Sequence, residues 1–224
     1  MVKQKIDLLK KVTQCVDSFN RNSGQYSHTL TKLFSSYLKD NSYDTDTWIK
    51  FALISHGLLK NDAQAIECLT TILTYNPGNL YVTMLLIFIA KKTGSIPDDL
   101  FEQLCNLQPA SKELLSLIEY QKSWYYLEKD ESLYRYTLEN SLDLCGKFVW
   151  NLKALGTFYF LDYKISTGRS LFEKALKNIH HIYSMDEYEH IGIINIDEFF
   201  NARLKGTHIM QPMVMMMINA LTNH

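Results

Sequence analysis

Pro77 and Pro109 stand 109 − 77 = 32 residues apart, and between them lie an almost uncharged run at 80–90 and the turn-forming sequence Thr93-Gly94-Ser95. Proline cannot continue a helical hydrogen-bond ladder and glycine tolerates the reversal after one, so this punctuation marks off helices. An interval near 34 residues is the period of a stacked two-helix repeat. The run at 80–90 is apolar nearly all round, which predicts burial between neighbours on both sides and makes it the expected centre of the core. With Thr83 inside it, the run is too short to cross a bilayer.

Apolar spacing carries the helical reading along the chain. Ile6, Leu9, Val12, Cys15, Val16 and Phe19 recur at steps of three and four, the mark of an amphipathic helix. Leu30, Leu33, Phe34, Tyr37 and Leu38 repeat the pattern in a second helix, and these two form an N-terminal cap over 1–44. A third helix begins near Thr45-Asp46-Thr47, whose short side chains accept the free amide hydrogens of a first turn, and continues through Trp48, Phe51, Ala52 and Leu59. Ala65, Leu69, Ile72 and Leu73 belong to the next helix, which ends at Asn76-Pro77-Gly78. Further pairs are expected at 80–92 with 97–107, at 111–128 with 132–144, and at 148–165 with 169–182. The less regular tail, 184–224, is read as a helical cap ending in a Met-rich helix from Pro212. The total is eleven or twelve helices.

Residues 148–178 bear a more specific pattern: Leu152, Leu155-Gly156, Tyr159, Gly168, Phe172 and Ala175. This segment resembles a tetratricopeptide repeat (TPR), in which small residues let two helices approach and large ones fill the gaps between successive pairs. His180 stands where that family often has Pro. Tyr81, Met84, Leu85, Phe88, Phe101, Leu104 and Pro109 keep the family spacing without its Gly and its small residue. With the Leu-Gly step as a ruler, equivalent positions fall at Leu53, Leu85, Lys122 and Gly156, and the resemblance extends over 45–183 with degenerate repeats.

The resemblance implies an all-α, TPR-like α–α superhelix whose first helices line a concave groove for a peptide or partner helix. Position by position it implies groove roles for Asn79, Val82, Glu119, Tyr126, Trp150, Lys153 and Phe160. The Lys and Asn clamp that chaperone-binding members close on a terminal carboxylate is not reproduced. A packed or solvated helix residue is the plainer reading of each.

A net charge of −1 with scattered Lys and Arg leaves no nucleic-acid footprint. The composition, 46% hydrophobic and 21% charged, is that of a globular protein and excludes a disordered chain. Cys15, Cys68, Cys105 and Cys145 include no close pair of the kind zinc sites use, and read as small buried residues of a reduced, cytoplasmic protein. The N-terminus is amphipathic, unlike a signal peptide. No phosphate-binding loop or nucleophile elbow occurs, so no catalytic residue, metal or cofactor is assigned.

The function that follows is a protein- or peptide-binding scaffold: an adaptor, a secretion chaperone, or an immunity or regulatory protein. A second reading is a metal-assisted hydrolase using the polar patch of His180, His181, His190, Asp186, Glu187, Glu189, Asp197 and Glu198. A third is a homo-oligomer assembled through Met213, Met216 and Met217, since unbranched thioethers adapt to irregular partners. The aromatic set Tyr120, Trp124, Tyr125, Tyr126, Tyr134 and Tyr136 fits either recognition or inter-helix packing.

Overall fold

The computed structural model describes residues 2–19 and 23–178, which form ten α-helices and no strand. In chain order they are α1 (Val2–Phe19), α2 (Ser23–Asp40), α3 (Thr45–Gly57), α4 (Asp62–Tyr75), α5 (Leu80–Thr93), α6 (Asp98–Cys105), α7 (Lys112–Tyr126), α8 (Glu131–Leu144), α9 (Val149–Leu161) and α10 (Ile165–Lys177). The described residues divide into two compact units, the first ending at Ile89 and the second beginning at Ala90. The expected C-terminal cap, with its Met-rich helix, lies outside the described residues.

Helix starts follow capping chemistry. The side chains of Asp44, Asn61, Ser111 and Asp130 accept the backbone N–H of Thr47, Gln64, Leu114 and Leu133, satisfying donors that have no carbonyl within their own helices. For α3 the cap is therefore Asp44, one residue before the trio 45–47 expected to supply it. At the start of α5 the Asn79 side chain plays the same part toward Val82, at 3.1 Å.

In the first unit, α1 pairs with α2, α3 pairs with α4, and α2 leans on α3. Leu8, Val12 and Val16 are buried on α1, while Ile6 is 47% exposed. The inward stripe keeps Val12 and Val16 of the expected set but passes through Leu8 in place of Ile6. Phe34 of α2 stacks on Phe51 of α3 with ring centroids 4.7 Å apart, both buried. Ala52, Ala65 and Cys68, all fully buried, let α3 and α4 close on each other. On α5, Val82, Met84, Leu85, Leu86, Ile87 and Ile89 are all buried, as the uncharged run demands.

The second unit is built on two further close pairs, α7 with α8 and α9 with α10, and α8 packs on α9. In α9 and α10 the repeat-like residues behave as the resemblance implies. Leu152, Leu155, Phe172 and Ala175 are buried, and Gly156 faces Gly168 across the pair. A Cβ on Gly156 would come within 2.7 Å of the Phe172 ring, and one on Gly168 within 2.8 Å of the Gly156 carbonyl oxygen. Between α7 and α8 the same closeness is achieved by serine. The hydroxyl of Ser116 donates to the Ser141 carbonyl and that of Ser141 to the Ser116 carbonyl, each at 2.7 Å. The close approach falls at Ser116, not at Lys122, where the Leu-Gly ruler placed it. Asn151, fully buried, donates to the Leu138 carbonyl at 2.8 Å and fastens α9 to α8.

The expected pair of 80–92 with 97–107 is not among these close pairs: α6 leans on α7 instead. Phe101 of α6 stacks on Tyr125 of α7 at 3.8 Å, and the Tyr125 hydroxyl donates to Asp98 at 2.7 Å.

Candidate protein-binding faces

Each groove candidate takes a definite place. Asn79 is spent on capping α5, and Val82 is fully buried, so its side chain offers nothing at a surface. On α7, Glu119, Lys122 and Tyr126 recur at three- and four-residue steps and share one stripe. Glu119 accepts a charge-assisted bond from Lys122 at 2.6 Å. Tyr126 sits edge-on to Phe101, 5.4 Å away, and desolvation pushes its phenol above the usual range.

On α9 the corresponding stripe contains Trp150, Lys153, Thr157 and Phe160. Trp150 and Phe160 are partly buried against the cluster of Val149, Leu152, Phe172 and Ala175, and Phe160 presses on Gly168. Lys153 is half-buried and makes no ion pair among the described residues. Desolvation holds its ammonium below the usual lysine range. A half-dry cation without a carboxylate is costly to keep, so Lys153 is the feature of this stripe that a bound acceptor would relieve.

The aromatic set resolves mainly into packing. Tyr120 meets Trp124 and Phe148 edge-on, and Lys129 lies 3.5 Å above the Tyr125 ring while pairing with Asp98. Tyr136 is 58% exposed. The cysteines divide: Cys68 is buried, with a thiol pushed up to about 12 by burial, but Cys105 is exposed, contrary to the expectation that all four fill the interior. None forms a disulfide. Among the described residues no three His, Cys, Asp or Glu side chains gather as metal ligands, and no helix is long and apolar enough to cross a membrane. The patch at 180–198 and the residues Met213, Met216 and Met217 lie outside the described residues.

Sequence reasoning missed two features. The Glu119–Lys122 pair was half seen, through Glu119 alone, although its three-residue spacing on a helix is itself a legible signal. A recess lined by Leu127, Glu131, Tyr134, Thr157, Phe158, Leu161 and Asp162 went unseen, because it needs the register of α8 against α9.

No known family profile matches this chain, and no curated protein matches it in sequence. Solved structures do match in shape. A MamA RS-1 ArsTM double mutant superimposes with a TM-score of 0.54 at 12% identity, covering 76% of this chain and 94% of that one. A MamA protein crystal structure gives 0.47 at 14% identity, covering 80% and 90%. The first likeness shows the fold: all-α, of the TPR-like α–α superhelix class, built of antiparallel helix pairs.

Proposed function

We propose that this protein is a binding scaffold, without catalytic activity, that holds a peptide or helix of a partner protein on the stripes of α7 and α9. The observation that carries the reading is Lys153: a half-buried cation with no ion pair among the described residues, on the first helix of the best-formed repeat-like pair. Tyr126 and the Glu119–Lys122 pair give α7 an aromatic anchor and a polar register, the combination by which helix and peptide partners are held. A cytoplasmic setting, expected from the lack of a close cysteine pair in the sequence, belongs to the same reading. The roles of adaptor, secretion chaperone and immunity protein share this chemistry and differ in the partner.

Lys153→Met tests it without damaging the fold, since methionine keeps the unbranched length and removes only the charge. The folded lysine's pKa is lowered, so the fold pays a charge penalty that is fully present below that value and disappears as the pH rises past the unfolded 10.5. Lys153→Met is therefore expected to raise neutral-pH stability by a few tenths of a kcal/mol, after screening, a gain that vanishes in strong alkali. Urea titrations at two pH values measure it. In affinity capture from the native cytosol, intact protein should retain a partner that Lys153→Met releases. Equal retention by both would refute the role given to α9.

A further inference from the structure

A second surface lies at the turn end of the second unit, sharing Thr157 with the stripes just described. There, Leu127 at the end of α7, Glu131 and Tyr134 in the first turn of α8, and Thr157, Phe158, Leu161 and Asp162 at the end of α9 enclose a recess of about 410 Å3. Its aromatic walls are Tyr134 and Phe158, with centroids 5.9 Å apart. Its rim is apolar and wet: Leu127 is 44% and Leu161 70% exposed. Large apolar side chains gathered around a concavity, unlike the same residues scattered singly, mark a contact surface.

The charges at the rim are of one sign. Glu131 and Asp162 line the recess, and no cation does. Lys164 lies 2.8 Å from Asp162 and offsets that carboxylate in part, while Glu131 has no ion pair among the described residues. The Thr157 hydroxyl donates back to the Lys153 carbonyl at 2.9 Å and so is not aimed at a ligand. No cationic side chain in the lining would attract an anion. The volume lies near the lower end of the about 300–1,000 Å3 typical of binding pockets, enough for a large side chain with some backbone around it.

We propose that this recess docks a segment of a partner protein carrying one bulky apolar side chain within a helical turn of a lysine or arginine. The apolar side chain sits against the paired rings of Tyr134 and Phe158, covering Leu161, and the cation meets Glu131. A second copy of this chain is the poorer fit at the same spot, because matching recesses would bring like charges face to face. Apart from Thr157, whose hydroxyl is turned back onto the Lys153 carbonyl, the recess uses none of the residues given to the α7 and α9 stripes, and the variants that test it leave those stripes unchanged.

The test uses the full chain and a fluorescein-labelled helical peptide made only of leucine and lysine, followed by fluorescence anisotropy. Saturable one-to-one binding is expected, about ten-fold weaker with Leu161→Ser and with Glu131→Gln. The peptide should also weaken when glutamate replaces its lysines or serine its leucines. Both altered positions are solvent-exposed, and far-UV circular dichroism verifies that the variants stay helical. A Tyr43→Ser variant, changed in the first unit, should bind as the intact protein does. Equal binding by Leu161→Ser and the intact chain would mean unspecific attraction to acidic surface and would overturn the proposal, as would no binding by any peptide. Binding by the glutamate peptide in place of the lysine peptide would overturn the charge assignment and with it the proposed partner.

Discussion

Gly168→Ala is expected to destabilise the second unit by about 2 kcal/mol, a large cost for one added methyl group. The sign is not obvious beforehand, because alanine in a helix interior is favoured over glycine by roughly 0.5–1 kcal/mol. What decides it is the neighbour. A Cβ at 168 would stand 2.8 Å from the Gly156 carbonyl oxygen and 3.2 Å from the Phe160 amide nitrogen, and backbone atoms in two helices cannot swing aside. The pair must separate, loosening Phe172 and Ala175 from Val149 and Leu152. Gly156→Ala meets chiefly the Phe172 ring, at 2.7 and 2.9 Å, and Phe172 is 1% exposed, so that ring has little room to turn. The two changes should be less than additive, since a pair already parted by one methyl accepts the second cheaply. Urea unfolding of both single variants and the double measures this. A stabilising Gly168→Ala would mean that α9 and α10 do not approach as described.

The second large effect belongs to Asp44, which joins three helices of the first unit. Its carboxylate caps α3 through the Thr47 amide, and it accepts bonds from Lys5 of α1 at 2.8 Å and from the Tyr37 hydroxyl of α2 at 2.9 Å. Asp44→Ala removes a cap worth about 1 kcal/mol, and it strands a Tyr37 hydroxyl whose residue is 8% exposed. A part-buried hydroxyl left without its acceptor adds up to about 1 kcal/mol, whereas the partly exposed Lys5 keeps Asp46 at 2.9 Å and contributes little. The sum is about 2 kcal/mol, with α1 and α2 freed first. Asp44→Asn, which caps equally well, should lose less than half of this.

The acid limb of stability gives a separate check. Burial alone would push Asp44 up, but the bonds from Lys5, Tyr37 and Thr47 outweigh it and hold the carboxyl below its ordinary 3.8. A lowered folded pKa means that the unfolded chain binds the proton first. The stabilisation is thus complete above the unfolded value and is lost as the pH falls through 3.8 toward the folded one. Asp44→Ala should flatten that part of the curve, and an unchanged acid limb would mean that Asp44 is not bonded as described.

How much of this was legible depends on what kind of contact was at stake. Leu152, Leu155, Gly156, Gly168, Phe172 and Ala175 were readable because their packing follows from spacing within one helical pair. The buried run of α5 was readable because a segment with no polar face has only one place to go. Ile6 was misjudged because the sets 6-9-12 and 8-12-16 both satisfy helical periodicity, and the position of α2 chooses between them. The cap of α3 was misplaced by one residue because four polar residues in a row, 44–47, all qualify on chemistry. The contact of α6 with α7 was not legible, since its aromatic stacking on Tyr125 leaves no periodic trace. Among the groove candidates, Val82 shows the limit of carrying positions over from a repeat: it is fully buried within the apolar run of α5.

The central claim, that a partner lies on the stripes of α7 and α9, is tested most directly by hydroxyl-radical footprinting of the intact protein with and without its captured partner. The account predicts that Tyr126 and Trp150 become protected while Tyr136 and Tyr163, 58% and 90% exposed, are labelled as before. Unchanged labelling of Tyr126 and Trp150 in a saturated complex would contradict it.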